Sequence, residues 1–253
     1  MSELLAVLGV TPRGRRGGSE PARSLVIVAG GRSRRLGRDK PLVEIGGRTI
    51  LSRILDVAAH ITDGVLAVRE VLPFERALRA EAWELMDAEA GHPPGSVALR
   101  STGGGRLLIV PDPVPDLGPL AGLASGMGAA CAPVCLVVAG DLPFVSRGVV
   151  DGLSESLAAS PRYDAVVPRV GGRPQPLCAA YRREVRDLAV RLLAPCTDPD
   201  ASSPSMMSFL EQLRVRYVSA DDLRSATDLE LITRGVDSPD DLAWATRRAA
   251  RTD

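Results

Sequence analysis

The sequence predicts an α/β fold in which a mostly parallel sheet lies between two layers of helices. Short runs that are apolar at every position and rich in β-branched residues recur along the chain, and segments with helical periodicity separate them. Strands that are apolar on both faces are typical of parallel sheets covered by helices on each side. At 253 residues, 45% hydrophobic and 25% charged, the chain is long enough for one such domain.

The apolar runs predict the strands, in chain order, at residues 25–29, 65–68, 107–110, 134–139, 165–167 and 215–218. Helical periodicity predicts helices at residues 49–60, 74–90, 119–131, 147–159, 183–194, 205–213 and 238–250. The weakest order is expected at residues 91–105, where glycine and proline cluster. Ligands of such sheets collect at the carboxyl ends of the strands, so polar residues that follow a strand are the first candidates for a site.

The domain is predicted to occupy residues 24–250, with residues 1–23 as a flexible N-terminal tail. The apolar run at residues 4–10 is too short to span a membrane, and the Arg- and Gly-rich segment after it does not resemble an export signal. Residues 117–140 carry no charge, but prolines and glycines divide this run into a helix that begins at Pro119 and a buried strand. No membrane span is therefore expected, and the protein is predicted to be cytoplasmic.

Composition excludes several classes of function. The formal net charge is zero and aromatic residues make up 3% of the chain, so non-specific binding of nucleic acid or of an anionic membrane is not expected. The four cysteines have no histidine-rich surroundings that would complete a zinc site, and are predicted to be reduced thiols. The chain has only two histidines, which disfavours a Ser-His-Asp enzyme or a His-ligated metal enzyme.

The first predicted strand leads directly into the segment G-G-R-S-R-R-L-G-R-D-K at residues 30–40. Adjacent glycines after a buried strand allow backbone N–H groups to face an anion, which predicts a phosphate-binding loop. The spacing matches neither a Walker loop nor the dinucleotide-binding glycine pattern. Lys40 is the only lysine among 31 basic residues, and a compact ammonium on a flexible stem suits contact with phosphates. The alternative is an ordinary strand-to-helix turn with solvated arginines.

Two carboxylates follow predicted strands. Asp141 comes after the strand at residues 134–139, where Mg²⁺ that bridges a nucleotide would bind, although a turn cap is the alternative interpretation. Asp112 follows the strand at residues 107–110 and lies between two prolines, so by itself it is equally consistent with a turn residue.

Residues 28–40, V-A-G-G-R-S-R-R-L-G-R-D-K, resemble the L-A-G-G-x-S-x-R-M-G-x-D-K signature of the molybdenum cofactor guanylyltransferases, within the nucleotidyltransferase superfamily. Only the first and ninth positions differ, both conservatively. G-P-L-A-G at residues 118–122 and G-D-L-P at residues 140–143 are similar to two further family motifs, and the resemblance covers about residues 24–245.

The resemblance implies a three-layer α/β/α Rossmann-like nucleotidyltransferase fold, Mg²⁺ as cofactor, and a set of site residues. Those implied to bind nucleotide are Ala29, Gly30, Gly31, Lys40, Asp112, Gly118, Gly122 and Asp141. Lys40, Arg35 and Asp141 are implied to be catalytic, with Arg35 facing phosphate and Asp141 binding the metal. The segment that contains Tyr181 is implied to lie toward the acceptor.

The sequence also departs from the family pattern. Near the C-terminus, residues 235–242 resemble the family's N-x-N-T-P-E-D-L element, but Gly235 and Asp237 replace its two asparagines. Ser238, Pro239 and Asp241 form a normal helix start, which explains much of this element without function. Asp237 is a candidate second metal ligand, as in sugar nucleotidyltransferases. The connection at residues 70–106 is longer than is usual for the family.

Taken together, the motifs predict transfer of GMP from GTP to the terminal phosphate of molybdopterin, with release of pyrophosphate. The implied partners are GTP, molybdopterin, and proteins that deliver molybdopterin or act as chaperones for particular molybdoenzymes. Three alternatives stay open: a cytidylyltransferase, a sugar-phosphate nucleotidyltransferase, and a regulatory module that binds nucleotide without turnover.

Overall fold

The structure is a computed structural model that describes residues 22–30, 37, 39–57, 61, 63–87, 89, 91–112, 117–197, 203–223 and 228–251. The expected tail at residues 1–23 lies almost entirely outside these ranges, as do Gly31 and Arg35 of the glycine loop.

The described residues form twelve strands. In chain order they are β1 (Arg23–Val28), β2 (Glu44–Ile45), β3 (Arg48–Thr49), β4 (Asp63–Val68), β5 (Glu84–Leu85), β6 (Val97–Arg100), β7 (Arg106–Pro111), β8 (Val134–Ala139), β9 (Ala165–Val170), β10 (Arg173–Pro174), β11 (Cys178–Arg182) and β12 (Val215–Val218).

The α-helices of the described residues are α1 (Ile50–Val57), α2 (Val71–Ala80), α3 (Pro119–Ala129), α4 (Arg147–Ala158), α5 (Arg186–Leu193), α6 (Met206–Leu210), α7 (Leu229–Ile232) and α8 (Pro239–Ala249). Short 3₁₀ turns occur at Lys40–Leu42, Arg183–Val185 and Ala194–Thr197. None of the helices in the described ranges is both long enough and apolar enough to cross a membrane.

Ten of these strands form one sheet, in the order β10-β9-β11-β8-β1-β4-β7-β6-β5, with β12 paired to β9. The central strands β8, β1, β4 and β7 are parallel neighbours. The antiparallel strands β11 and β6 flank this group on its two sides. The carboxyl ends of the four central strands therefore lie at the same edge of the sheet.

Helices cover both faces of the sheet. Leu25 and Ile27 of β1 pack into a core that includes residues of α1, α2, α4 and α8. Val26 and Val28 point to the other face, where α3, α5 and α6 lie. Helices on both faces confirm the predicted three-layer α/β/α arrangement with a mostly parallel sheet. β1 is buried from both sides, which is why it is apolar at successive positions.

All six predicted strands form, and the uncharged run divides into α3 and β8 as expected. The helix predicted at residues 74–90 is wrong beyond Ala80. Ala82 has a φ of 65°, a left-handed conformation that ends a helix, and β5 follows. Weak order at residues 91–105 is also wrong in part, since β6 pairs with β7 there. β6 is four residues long and has one buried side chain, Leu99, so its sequence has little periodicity to detect.

Candidate active site

The site lies at the carboxyl edge of the sheet, where backbone hydrogen bonds hold the residues that follow the central strands. Ala29 N–H donates to the Ala67 carbonyl oxygen over 2.8 Å, and Gly140 N–H donates to that of Val28 over 2.9 Å. Asp112 N–H donates to the Val68 carbonyl oxygen over 2.7 Å. These bonds extend the pairing of β1, β4, β7 and β8 past the ends of the strands and fix the backbone of the site.

Asp112 lies between two glycines. A Cβ on Gly30 would overlap Oδ2 of Asp112, and a Cβ on Gly122 would lie 2.8 Å from Cγ1 of Val28 and 3.7 Å from Oδ1 of Asp112. Glycine at both positions therefore allows the loop after β1 and the first turns of α3 to approach the carboxyl group closely. Three of the predicted nucleotide-binding residues are brought together here.

The Asp112 carboxyl is buried, with an exposed fraction of 9%. Within the described part of the chain its Oδ1 atom has no hydrogen-bond partner. Burial raises the pKa of Asp112 to about 7, an effect that the neighbouring Ser125 hydroxyl only partly opposes. A buried acceptor without a partner is unusual in a folded protein, and one that faces a glycine-lined cradle suits a ligand that donates a hydrogen bond.

A second cluster joins Lys40, Asp141 and Asp237. Nζ of Lys40 lies 3.0 Å from Oδ2 of Asp141 and also donates to Oδ1 of Asp237. The sequence separates Lys40 from these carboxylates by 101 and 197 positions, so only the fold brings them together. Asp141 is 23% exposed and Asp237 is 59% exposed, which leaves both carboxylates open to a ligand.

The charge of Lys40 is stabilised by this arrangement. Partial burial by itself would lower the pKa of Lys40, but the hydrogen bonds and negative charges of Asp237 and Asp141 outweigh it, so the pKa is raised. Lys40 is therefore fully protonated at neutral pH and presents a cation at the carboxyl edge of the sheet.

The backbone holds Asp237 beside Asp141. Val236 N–H donates to the Asp141 carbonyl oxygen over 3.0 Å. A Cβ on Gly235 would lie 3.4 Å from Cγ of Asp141, an ordinary van der Waals distance, so the replacement of the family asparagine here is not explained by a lack of space. Immediately after Asp237, Ser238 and Asp241 form the capping box that starts α8.

Aromatic contacts join the same two segments a few residues away. The rings of Phe144 and Trp244 pack edge to face with centroids 5.6 Å apart. The guanidinium of Arg234 lies 3.9 Å from the centre of the Trp244 ring and 3.6 Å from a carboxylate oxygen of Asp241. The segment after β8 and the start of α8 are thus joined by side chains as well as by backbone.

Two further glycines have steric roles. A Cβ at Gly140, where the family motif has cysteine, would lie 2.7 Å from Cγ of Pro41, so glycine allows the residue after Lys40 to pack beside β8. Gly118, the residue before α3, has a φ of 78°, a conformation that favours glycine.

One implied role receives no support from the geometry. Tyr181 is fully buried, its hydroxyl donates to the Pro176 carbonyl oxygen over 2.8 Å, and its ring lies against Phe209. Tyr181 therefore stabilises the core and the turn before β11. Sequence reasoning also missed the Phe144–Trp244 contact, for which the sequence has no signal beyond the presence of the two aromatic residues.

The described residues contain no group of three or more His, Cys, Asp or Glu side chains that could hold a metal ion. The pair Asp141 and Asp237 nevertheless suits Mg²⁺, which proteins bind through one or two carboxylates while water and substrate phosphates supply the other ligands.

Residues 25–214 match the model of the MobA-like NTP transferase domain family. A protein of Pelotomaculum thermopropionicum named probable molybdenum cofactor guanylyltransferase is 32% identical over 221 residues, which cover 87% of this chain and 90% of that protein. A Bacillus anthracis protein of the same name is 30% identical over 203 residues, or 80% of this chain and 86% of its own length.

The fold is also similar to solved structures. Molybdopterin-guanine dinucleotide biosynthesis protein A of Archaeoglobus fulgidus is 25% identical, with a TM-score of 0.66 over 90% of this chain and 99% of that chain. The 2-C-methyl-D-erythritol 4-phosphate cytidylyltransferase of Thermus thermophilus has a TM-score of 0.55 at 20% identity, over 91% of this chain and 100% of that one, and shares the fold. The family match over most of the chain shows that this protein belongs to the MobA-like NTP transferase domain family and is a nucleotidyltransferase.

Proposed function

We propose that the protein transfers GMP from GTP to molybdopterin and releases pyrophosphate. The names of the relatives in Pelotomaculum and Bacillus support this choice of nucleotide and acceptor. The observation that carries the proposal is the contact of Lys40 with both Asp141 and Asp237, because it places one cation and two carboxylates at the edge where the glycine loop begins.

In this proposal the nucleoside end of GTP lies in the cradle of Gly30, Asp112 and Gly122. Asp112 offers an acceptor oxygen without a partner among the described residues, and a nucleoside has several N–H and O–H donors. Gly31 and Arg35 complete the phosphate-binding loop in the proposal, as the motif resemblance implies.

The reaction is a substitution at the α-phosphorus of GTP. An oxygen of the terminal phosphate of molybdopterin forms a bond to this phosphorus, and the bond from the phosphorus to the pyrophosphate oxygen breaks. Lys40 exchanges its carboxylate partners for phosphate oxygens, which its flexible stem permits, and stabilises the charge that develops on the triphosphate. The loop N–H groups orient the nucleotide, and no protein nucleophile is required.

We assign Mg²⁺ to Asp141, with Asp237 as its second carboxylate ligand. When bound, the ion would neutralise phosphate charge and orient the reacting groups. Asp237 stands where the family motif has asparagine, so this chain offers one more negative charge to a cation than the motif does.

The test is turnover of the full chain with molybdopterin, Mg²⁺ and each of GTP, CTP, ATP and UTP. We expect one pyrophosphate per nucleotide consumed, a guanine dinucleotide product, and a preference for GTP of at least about tenfold. Asp221→Asn changes an exposed carboxylate that belongs to neither cluster, and as the control it should leave the rate unchanged.

Each other outcome identifies one alternative. A preference for CTP would make the protein a cytidylyltransferase, and turnover with a sugar phosphate in place of molybdopterin would make it a sugar-phosphate nucleotidyltransferase. Thermal stabilisation by GTP without pyrophosphate release would indicate a nucleotide-binding module.

A further inference from the structure

Lys40 contacts both of the carboxylates to which the proposed function assigns Mg²⁺. Its Nζ atom lies 3.0 Å from Oδ2 of Asp141 and also donates to Oδ1 of Asp237. The three side chains are partly exposed, by 24% for Lys40, 23% for Asp141 and 59% for Asp237. The ammonium therefore lies between the two carboxylates at a place that small ions can reach.

These contacts set the Lys40 ammonium against a divalent cation. A divalent cation bound by either carboxylate would lie beside the ammonium, because Lys40 is within hydrogen-bond distance of both. The surroundings are only partly exposed to water, so the two positive charges would repel each other more strongly than in bulk solvent. The pair of carboxylates therefore favours one of the two cations at a time.

The carboxylates are held in place by their backbone, whereas the Lys40 side chain can turn away. Val236 N–H donates to the Asp141 carbonyl oxygen over 3.0 Å. Asp237 N–H donates to a carboxylate oxygen of Asp241 over 3.3 Å. Lys40 reaches the carboxylates through a flexible four-carbon stem. Rotation of this stem is thus sufficient to release both carboxylates without movement of the backbone.

Two departures from the family pattern strengthen the contact of Lys40 with the carboxylates. Asp237 stands where the motif has asparagine, so Lys40 meets a second negative charge in place of a neutral amide. Gly235 replaces the other asparagine, and a Cβ there would lie 3.4 Å from Cγ of Asp141. A longer side chain at residue 235 would therefore lie against the Asp141 carboxylate, and glycine supplies no such donor.

We infer that Lys40 and a divalent cation compete for Asp141 and Asp237, and that nucleotide binding raises the protein's own affinity for the cation by drawing Lys40 to the phosphates. This inference rests on the phosphate contact and the cation assignment of the proposed function. Because coupling between two ligands is reciprocal, the cation raises the affinity for nucleotide by the same factor. Lys40 thereby joins the binding of nucleotide and cation into one coupled event.

Mn²⁺ binding to the full chain without nucleotide tests the competition, followed by the electron paramagnetic resonance signal of free Mn²⁺. Lys40→Gln removes the competing charge, and we expect it to raise the Mn²⁺ affinity at least about tenfold. Both carboxylates are partly exposed, so this variant leaves no fully buried charge unpaired and should fold, which its melting temperature checks. Arg48→Gln is the matched control, since it removes one exposed positive charge, paired with Asp56 at 2.7 Å, and should leave the Mn²⁺ affinity unchanged.

A second measurement uses the unchanged protein, because Lys40 is the one lysine in the chain. Lysine enriched in ¹³C and ¹⁵N therefore gives a single side-chain ammonium signal in a nuclear magnetic resonance spectrum. Hydrogen bonds to carboxylates slow the exchange of ammonium protons with water, so we expect a visible signal that disappears when Mg²⁺, at about ten times its dissociation constant, releases Lys40. GTP added with Mg²⁺ should restore the signal at a different chemical shift, because phosphate oxygens then hold the ammonium.

The opposite results overturn the inference. Equal Mn²⁺ affinities of the unchanged chain and the Lys40→Gln variant would exclude competition, and so would a Lys40 signal that persists unshifted at saturating Mg²⁺. Either result leaves the proposed GMP transfer intact. No saturable Mn²⁺ binding by the Lys40→Gln variant would also overturn the inference, and turnover of the unchanged chain with GTP and Mg²⁺ then decides separately whether the proposed function holds.

Discussion

Gly30 and Asp112 lie so close together that a Cβ on residue 30 would overlap a carboxylate oxygen of Asp112. The two residues follow β1 and β7, which are separated in the sheet by β4. Their contact closes one side of the proposed nucleotide cradle and explains why a residue without a side chain stands at position 30.

Replacement of Gly30 by alanine should therefore damage the cradle. The added methyl group forces the buried Asp112 side chain to move, and we expect GTP affinity to fall by at least about tenfold and stability by about 1–3 kcal/mol. Calorimetric titration and urea unfolding measure the two effects. Gly152→Ala in α4 is the control, since its Cβ meets Leu223 at 3.4 Å, an ordinary contact. Equal effects of the two substitutions would argue against a specific role for Gly30.

The Lys40→Arg substitution keeps the positive charge but changes its shape. A planar guanidinium is larger than an ammonium and spreads its charge over three nitrogens, so it does not reproduce the compact charge that Lys40 places between Asp141 and Asp237. We therefore expect guanylyl transfer to fall about 10²- to 10³-fold while the melting temperature stays near that of the unchanged chain. Steady-state turnover checks this expectation. The control is the opposite exchange, Arg147→Lys, at an exposed residue that pairs with Asp151, and it should leave turnover unchanged. Near-normal turnover of the Lys40→Arg variant would show that a point charge is not required.

Asp141→Asn should separate rate from affinity. In the proposed reaction, Mg²⁺ at Asp141 would mainly counter charge that grows during transfer, so this variant is expected to lose Mg²⁺-dependent turnover about 10²-fold or more, with a much smaller change in GTP affinity. Single-turnover rates at saturating GTP, combined with calorimetric affinities, give both numbers. Collapse of the affinity with an unchanged rate per bound nucleotide would instead assign Asp141 to nucleotide positioning.

Asp112 should make stability depend on pH. Its pKa is raised by burial from 3.8 to about 7, so between these values the folded protein binds a proton that the unfolded chain does not. The contribution of Asp112 to the free energy of unfolding is therefore fully present below pH 3.8, the pKa of the unfolded chain. It falls as the pH rises from 3.8 to about 7, by up to about 4 kcal/mol.

Urea unfolding from about pH 4.5 to about pH 7.5 checks this slope. Asp112→Asn, which cannot ionise, should show a shallower decline, and the difference between the two curves isolates Asp112 from Asp63 and Asp39, whose pKa values are also raised mainly by burial. Parallel curves for the two proteins would contradict the assignment.

Local patterns in the sequence were sufficient to predict the four central strands of the sheet. β1, β4, β7 and β8 were predicted because each is apolar at nearly every position, and burial on both faces demands such a pattern. β11 was not predicted, because its C-A-A-Y-R sequence is short and rich in alanine, and its burial between β8 and β9 is decided by the neighbouring strands. β6 was not predicted either, because a strand with a single buried side chain shows no alternation of apolar and polar residues.

The sequence by itself determined the fold class, the glycine loop with the chain's one lysine, and the positions of Asp112 and Asp141 at strand ends, because each depends on order along the chain. Only the tertiary structure decided that Asp112 is a buried acid between Gly30 and Gly122, and that Lys40 contacts Asp237 as well as Asp141. These relationships join residues far apart in the chain, and their energies depend on burial and distance, which arise when the sheet assembles.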